Sequence, residues 1–350
     1  MNRRQFSLLL VAVIMLMLAV ALLPENQHRN DQVSGNLLLR HMGSRMNEVD
    51  MVRVTAGGGS WVTTLIRGDS SWVIEELESY PANWQKLKSV LAKLAAAKVV
   101  EIKTSKPEYY SRLGVENVST EGAGNVMLEL FIGDEVREII IGNKAASGRG
   151  QFVRFADDRQ SVLIDQSLEL NGEPVSWADN EILDIASSMV ADIEIAHSDG
   201  DLIKLKKVSA DDTDFLLENL PDGQKIISSW SVNSLGGIFS MLNMEDVKPD
   251  NSATFPDPVL IKLLTFSGLE VTAQAASLED GAWIRINAGL YENTQPDAAD
   301  DQHEDVPVQP AQEAEAINRK LDGWLYRISE SKFEAMTRRL EQLIETDESG

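Results

Sequence analysis

The side chains most able to do chemistry in this chain are few and scattered. Its four histidines, His28, His41, His197 and His303, include no pair at i+3 or i+4 and no His-Glu-x-x-His motif, so the spacing of a zinc site is missing. Cysteine does not occur, and no Gly-x-Ser-x-Gly nucleophile elbow is present. The sequence therefore predicts no metal, no cofactor and no catalytic residue, which favours a protein that is not an enzyme.

Glycine-rich and acidic segments offer weaker signals. Residues Gly57–Ser60 and Gly142–Gly150 provide backbone amides for a phosphate, but neither ends in the Gly-Lys-Ser/Thr of a phosphate loop, so hairpin turns are the better interpretation. Asp211–Asp214 has the charge of a calcium loop without its glycine and final glutamate. Among 55 acidic residues, no carboxylate pair suited to a glycoside hydrolase stands out, and a hydrolase of that kind remains open.

Three residues form the candidate site. Arg154 and Arg285 occupy matching places in two similar segments, Phe152–Phe155 and Trp283–Ile286. A guanidinium binds carboxylate and phosphate groups through parallel N–H donors, so each arginine is a candidate contact for an anionic group. Trp177 lies in the linker between the two halves and predicts a packed junction. Because ligand pockets favour domain interfaces, a groove between the repeats is the expected location of any binding site.

The surrounding segments predict the elements that position these residues. Short alternating apolar runs separated by glycine-rich turns indicate antiparallel strands. Helical spacing of i, i+3, i+4 and i+7 occurs once early and once late in the chain. The early set is Leu87, Val90, Leu91 and Leu94, and the late set is Leu235, Ile238, Phe239 and Leu242. The segments recur in the same order in both halves of the chain, and Trp324–Ile328 is the counterpart of Ser161–Ile164. This order predicts a duplicated unit of about 130 residues.

The predicted fold class is α+β, with an N-terminal transmembrane helix followed by two repeated units, each a mainly antiparallel sheet with one packed helix. Residues Asn293–Ile317 contain seven acidic residues, three prolines and no Lys or Arg, so they are predicted to be a disordered insertion in the second unit. The predicted parts are an anchor or signal at 1–23, a stalk at 24–45, a first repeat at 46–175, a connector at 176–189 with a short helix at Ile182–Ala186, and a second repeat at 190–345.

The run Phe6–Leu23 holds eighteen residues without a charge, long enough as a helix to reach about 27 Å across a bilayer. Arg3 and Arg4 precede it, which predicts an N-terminus in the cytoplasm with the rest of the chain outside. Ala19-Val20-Ala21 also fits a signal-peptidase site, but the run lacks a polar c-region and exceeds the usual 7 to 15 residues, so an uncleaved anchor is favoured. The net charge of −23 disfavours nucleic acid and anionic lipid as partners.

From Val49 to its end the chain resembles a family known as domain of unknown function 4340. The residues that carry the resemblance are Trp72, Tyr80–Ala82, Pro107–Gly114, Ile141–Gly142, Phe152–Arg154, Pro174 with Trp177–Asp179, and Gly323–Ile328. The resemblance implies a bacterial inner-membrane protein found beside an ABC-type permease and auxiliary transport proteins of the gliding-motility type, and no catalytic residues. We therefore expect an accessory or scaffold subunit of an ABC-transporter-like complex. The alternative is a periplasmic ligand-binding module with its site between the repeats.

The anchor makes a direct prediction. We expect the full-length protein to stay in the membrane fraction after a carbonate wash, with an intact mass that includes residues 1–23. Replacing Ile14 by Arg places a charge at the centre of the run at a cost of about 2.5–3.5 kcal/mol, which should reduce membrane retention, whereas Ile14→Leu should not. A mature chain that begins at Leu22 would contradict the anchor.

Overall fold

The computed structural model describes residues 35–40, 43–251, 255–291 and 308–345. The predicted anchor Phe6–Leu23 lies outside these residues, as does most of the predicted stalk. Among the residues described, no helix is both long and apolar enough to cross a membrane.

The described part of the chain is rich in strands. The strands are β1 (Met51–Ala56), β2 (Val62–Arg67), β3 (Trp72–Ile74), β4 (Tyr80–Pro81), β5 (Val99–Ile102), β6 (Val126–Ile132), β7 (Glu135–Lys144), β8 (Gln151–Phe155), β9 (Ser161–Ile164), β10 (Glu181–Leu183), β11 (Val190–Ala196), β12 (Leu202–Lys206), β13 (Leu216–Leu217), β14 (Leu242–Asn243), β15 (Asp246–Pro249), β16 (Val259–Thr265), β17 (Leu269–Leu278), β18 (Gly281–Leu290) and β19 (Trp324–Ile328). All the strand pairs with a described register are antiparallel, which confirms the predicted mainly antiparallel sheets.

Helices are fewer and mostly short. The α-helices are α1 (Trp84–Ala96), α2 (Tyr110–Leu113), α3 (Ser229–Asn233), α4 (Val308–Leu321) and α5 (Glu330–Met336). Turns of 3-10 helix occur at Gly43–Glu48, Gly57–Gly59, Glu75–Leu77, Pro107–Tyr109, Pro174–Trp177, Ser187–Met189, Ser234–Gly237 and Leu340–Gln342. The helix α1 forms where the sequence predicts it: Asn83 caps its start by accepting from the Lys86 amide at 3.0 Å.

The chain divides into two compact units. Of the described residues, those up to Val73 together with Asn83–Pro174 form the first unit, and Ile74–Ala82 together with those from Val175 on form the second. The nine-stranded sheet has the order β4-β3-β2-β1-β6-β7-β8-β9-β5, and the eight-stranded sheet has the order β13-β12-β11-β16-β17-β18-β19-β15. With β4 set aside, each strand of the first sheet has a counterpart in the second, in the same place in the order.

The cores of both units are built from the strand faces that the alternation marks as apolar. In the second sheet, Ile261 of β16 lies opposite Ala273 of β17, and Leu263 lies opposite Val271. All four are buried. Since neighbouring residues along each strand point to the other face, the same register places Lys262, Thr272 and Gln274 away from the core.

The late segment does not form the predicted helix, although the residues predicted to be buried are buried. Leu235, Ile238, Phe239 and Leu242 are all buried, yet α3 ends at Asn233, a 3-10 turn follows, and Leu242 begins β14. Glycine disfavours the interior of a helix by about 1 kcal/mol relative to alanine, and two glycines, Gly236 and Gly237, fall within this stretch. Lys332 Nζ from α5 donates to the carbonyls of Gly237, Ile238 and Ser240 at 3.1, 3.5 and 2.5 Å, which replaces the helical hydrogen bonds.

Two further expectations are corrected. The connector does not form a helix at Ile182–Ala186; instead β10 pairs with β14. Within the predicted disordered insertion Asn293–Ile317, residues 308–317 belong to helix α4, while 293–307 lie outside the described residues. Pro310 is in the first turn, where proline is tolerated, and a Glu315–Arg319 pair at 2.7 Å links successive turns.

The β7–β8 hairpin provides a matched pair of glycines. Gly148 and Gly150 have φ of +73° and +83°; a Cβ at Gly148 meets nothing, whereas one at Gly150 overlaps the Ile164 carbonyl oxygen. We expect Gly148→Ala to destabilise by about 1–2 kcal/mol for the left-handed backbone. Gly150→Ala adds about 1–3 kcal/mol of overpacking. Urea unfolding with hydrogen exchange of β8 and β9 measures both, and equal effects would contradict this account.

Candidate functional site

Arg154 on β8 is buried among acceptors of the first unit and is only 4% exposed. Its Nε donates to the Val115 carbonyl at 2.9 Å and its Nη2 to Asn117 Oδ1 at 2.8 Å. Its Nη1 donates to the carbonyls of Phe155, Ala156 and Asp158 at 3.1, 3.3 and 2.9 Å. These bonds tie the segment after α2 to the sheet. A contact between Arg154 and an anionic group stays a prediction.

Arg285 on β18 is the counterpart of Arg154. Arg154 lies opposite Ile140, which lies opposite Met127; Arg285 lies opposite Gln274, which lies opposite Leu260. The two arginines thus hold the same place in the two sheets. Each guanidinium carbon lies 4.7 Å from an aromatic ring centroid, that of Tyr110 for Arg154 and that of Phe255 for Arg285.

The two sheets differ in what covers this face. In the first unit, the connection from β5 to β6 spans residues 103–125 and carries α2, and its Tyr110 and Val115 pack with Ile140 in one buried cluster. In the second unit, the connection from β15 to β16 spans only residues 250–258. Among the residues that the structure describes, the face around Arg285 is more open, and its side chain is 29% exposed.

A cavity of about 470 Å³ opens on this face of the second sheet. Its floor consists of two cross-strand rows of side chains from β11, β16, β17 and β18. The first row is Glu194, Lys262, Thr272 and Asn287, and the second is Ala196, Leu260, Gln274 and Arg285. Asp250 and the turn Leu321–Trp324 after α4 form the wall. We name it the Gln274 cavity.

Apart from Asp322, the charged groups of the Gln274 cavity are paired within the second unit. Each of the following pairs joins a cavity residue to an opposite charge: Glu194 with Lys204 at 3.2 Å, Lys262 with Glu270 at 2.7 Å, and Arg285 with Asp250 at 3.3 Å. The hydrogen bond that Lys262 donates to Glu270 raises the pKa of Lys262. By contrast, the amide side chains of Gln274 and Asn287 have no hydrogen-bond partner among the residues that the structure describes. The floor therefore offers neutral polar groups to a ligand.

Trp177 is fully buried in the 3-10 turn Pro174–Trp177, within the second unit. A role for Trp177 at a groove between the repeats stays a prediction. Across the described ranges, no group of three or more His, Asp or Glu side chains is arranged to hold a metal ion. His197 is placed beside the backbone, with Nε2 3.2 Å from the Arg338 carbonyl oxygen.

A second feature of the second unit is apolar. We define the Trp230 surface as Leu216, Ile227 and Trp230, which are 59%, 56% and 75% exposed. Trp230 lies in the short helix α3, Ile227 lies two residues before that helix, and Phe215, next to Leu216, is hydrogen-bonded to it. Asn233 of α3 accepts from the Phe215 amide at 2.9 Å, and the Ile227 amide donates to the Leu343 carbonyl at 2.9 Å. An exposed tryptophan with apolar neighbours on fixed segments is typical of a surface that a partner covers.

Sequence reasoning found Arg285 but missed the rest of both features. Leu260, Gln274 and Asn287 lie on strands whose alternation was visible, and that pattern alone is also typical of a solvated sheet face. What distinguishes them is the shortness of the 250–258 connection. Trp230 precedes the apolar residues of the predicted late helix, so its exposure depends on where that helix ends.

The contacts of Arg154 predict its contribution to stability. We expect Arg154→Leu to destabilise the first unit by about 2–5 kcal/mol, because several carbonyl groups lose their donor inside the protein. The matched change Arg285→Leu should cost less, since that side chain is partly hydrated. Arg154→Lys should not restore stability, because an ammonium lacks the fork of donors. Hydrogen exchange of β8 in urea measures these effects, and an Arg154→Leu protein as stable as the parent would contradict them.

Comparison with known proteins adds one finding. A family model described as "Domain of unknown function (DUF4340)" matches residues 72–257, more than half of the chain. The match includes Arg154 and Trp177 and ends before Arg285. No curated protein and no solved structure matches the chain. On the strength of the family match, the chain belongs to the DUF4340 family of domains of unknown function.

Proposed function

We propose that this protein is a non-enzymatic accessory or scaffold subunit of an ABC-transporter-like complex, anchored in the bacterial inner membrane with both units in the periplasm. The Phe6–Leu23 run supports the anchor. The resemblance to the family supports the association with a permease and with auxiliary transport proteins of the gliding-motility type. The Trp230 surface is the observation that carries the proposal.

Contact of the apolar Trp230 surface with water is unfavourable in free energy, and burial of that surface by a partner removes this cost. Each buried square ångström of apolar surface contributes about 25 cal/mol, and tryptophan is enriched among the residues that dominate binding energy at interfaces. The helix α3 is capped by Ser228, which accepts from the Trp230 amide at 3.1 Å. Arg338 donates to the Ser231 carbonyl at 3.5 Å. Because α3 is held in place, less side-chain and backbone freedom is lost on binding.

Co-purification tests the proposal. Membranes solubilised gently should release the protein together with a permease or ATPase subunit. We expect Trp230→Ala to weaken that association by about 2 kcal/mol, or about thirtyfold in Kd, because it removes the centre of the apolar surface. The matched control is Trp84→Ala, which changes another exposed tryptophan, at the start of α1 in the first unit. Its recovery of partners should equal that of the parent.

Two results would count against the proposal. Recovery of the protein alone, with no permease or ATPase subunit, would oppose the accessory role itself. Unchanged recovery of partners with Trp230→Ala would leave the accessory role standing and would remove the Trp230 surface as its contact.

A further inference from the structure

We infer that the Gln274 cavity binds a neutral, hydroxyl-rich ligand, the chemistry of a mono- or oligosaccharide. This inference goes beyond the accessory role proposed above and does not depend on it. It rests on the size of the cavity, on the unpartnered amides of its floor, on the pairing of its charges and on its apolar contacts.

Size and geometry come first. Small-molecule sites are commonly clefts of about 300–1,000 Å³, and the Gln274 cavity, at about 470 Å³, falls within that range. Its floor is a sheet rather than a loop, so its side chains are fixed by cross-strand register. Gln274 pairs with Arg285, which places Asn287 diagonally across from it. Diagonal neighbours on paired strands lie about 7–8 Å apart, so one small ligand reaches both amides.

The hydrogen-bonding groups of the floor suit hydroxyls. The amides of Gln274 and Asn287 each carry N–H donors and a carbonyl acceptor, and Thr272 adds a hydroxyl. A hydroxyl group both donates and accepts, so a ligand rich in hydroxyls satisfies donors and acceptors together. The exposed Asp322 in the wall adds a carboxylate, which accepts from hydroxyl groups.

The paired charges of the floor disfavour an ionic ligand at those groups. An anion drawn to Arg285 or Lys262 competes with Asp250 or Glu270, which already lie 3.3 and 2.7 Å from those cations. A cation drawn to Glu194 competes with Lys204 in the same way. A neutral ligand breaks none of these pairs.

The remaining surface of the cavity is apolar. Leu260, in the middle of the floor, is 49% exposed although it lies between two paired strands. Leu321 and Trp324 stand in the wall. A pyranose ring has this combination of chemistry, with C–H groups on its faces and hydroxyls at its edges. The neighbouring Leu260 and Gln274 therefore match two parts of one sugar ring.

The test measures binding by the full chain in lipid nanodiscs or in a zwitterionic detergent, because maltoside and glucoside detergents carry sugar head groups. The saccharide probes are glucose, N-acetylglucosamine, maltose and chitobiose, and the anionic probe is citrate. We expect at least one saccharide to bind by isothermal titration calorimetry and to raise the melting temperature, with no binding of citrate.

Substitutions locate the binding. Gln274→Leu and Asn287→Leu should each weaken the saccharide about tenfold, the effect of one lost hydrogen bond of about 1.4 kcal/mol. Gln85→Leu, the same chemical change at an exposed position of α1, should bind as the parent does. Melting of each variant without ligand shows whether it is folded, and Asn287, which is exposed, provides a second site if Gln274→Leu fails to fold.

Three outcomes would overturn the inference. The first is that no saccharide binds at millimolar concentration. The second is that citrate binds in preference to every saccharide, which would assign the cavity to anions. The third is that folded Gln274→Leu and Asn287→Leu proteins bind saccharide as tightly as Gln85→Leu, which would place the site elsewhere. None of these results bears on co-purification with a permease.

Discussion

The register of β16, β17 and β18 is the constraint on which the second unit depends. A slip of one residue would exchange the two faces of a strand, moving Leu263 and Val271 out of the core and Lys262 and Thr272 into it. The burial of a lysine without its partner is far more costly than the exposure of a leucine, so the apolar core holds the register. The register that buries Leu263 and Val271 also places the polar side chains of the Gln274 cavity on the opposite face.

Both sheets have an arginine at the same position, and the groups that replace water around the guanidinium differ between the two. Arg154 lies under a long connection, where backbone carbonyls and the side-chain oxygen of Asn117 supply its acceptors. Arg285 lies under a short connection, where Asp250 supplies a carboxylate and water reaches part of the side chain. A buried cation requires acceptors. In the described part of the chain, the longer covering segment accompanies a buried arginine and the shorter one an arginine that lines a cavity.

The sequence predicts the local features of this structure better than those that depend on contacts between distant segments. Strands followed from local alternation, and the matching of Phe152–Phe155 with Trp283–Ile286 agrees with the strand register. The late helix was wrong because Leu235 and Ile238 have a spacing that a tight turn around Gly236 also satisfies. The acidic composition of its first part indicated disorder, so helix α4 was not predicted, although its Ala314 and Leu321 are buried. The cavity was missed because it depends on cross-strand neighbours and on the length of a distant connection, which no local pattern records.

The short helix α3 links the exposed Trp230 to the C-terminal segment of the second unit. Five residues are too few to form a stable helix alone, so α3 depends on tertiary bonds. Arg338 donates to Ser234 Oγ at 3.3 Å, and Lys332 holds the carbonyls that follow α3. Both donors belong to the chain at and after α5. Order in that C-terminal segment and presentation of Trp230 are therefore linked, and any partner that bound at Trp230 would stabilise both, since thermodynamic coupling acts equally in either direction.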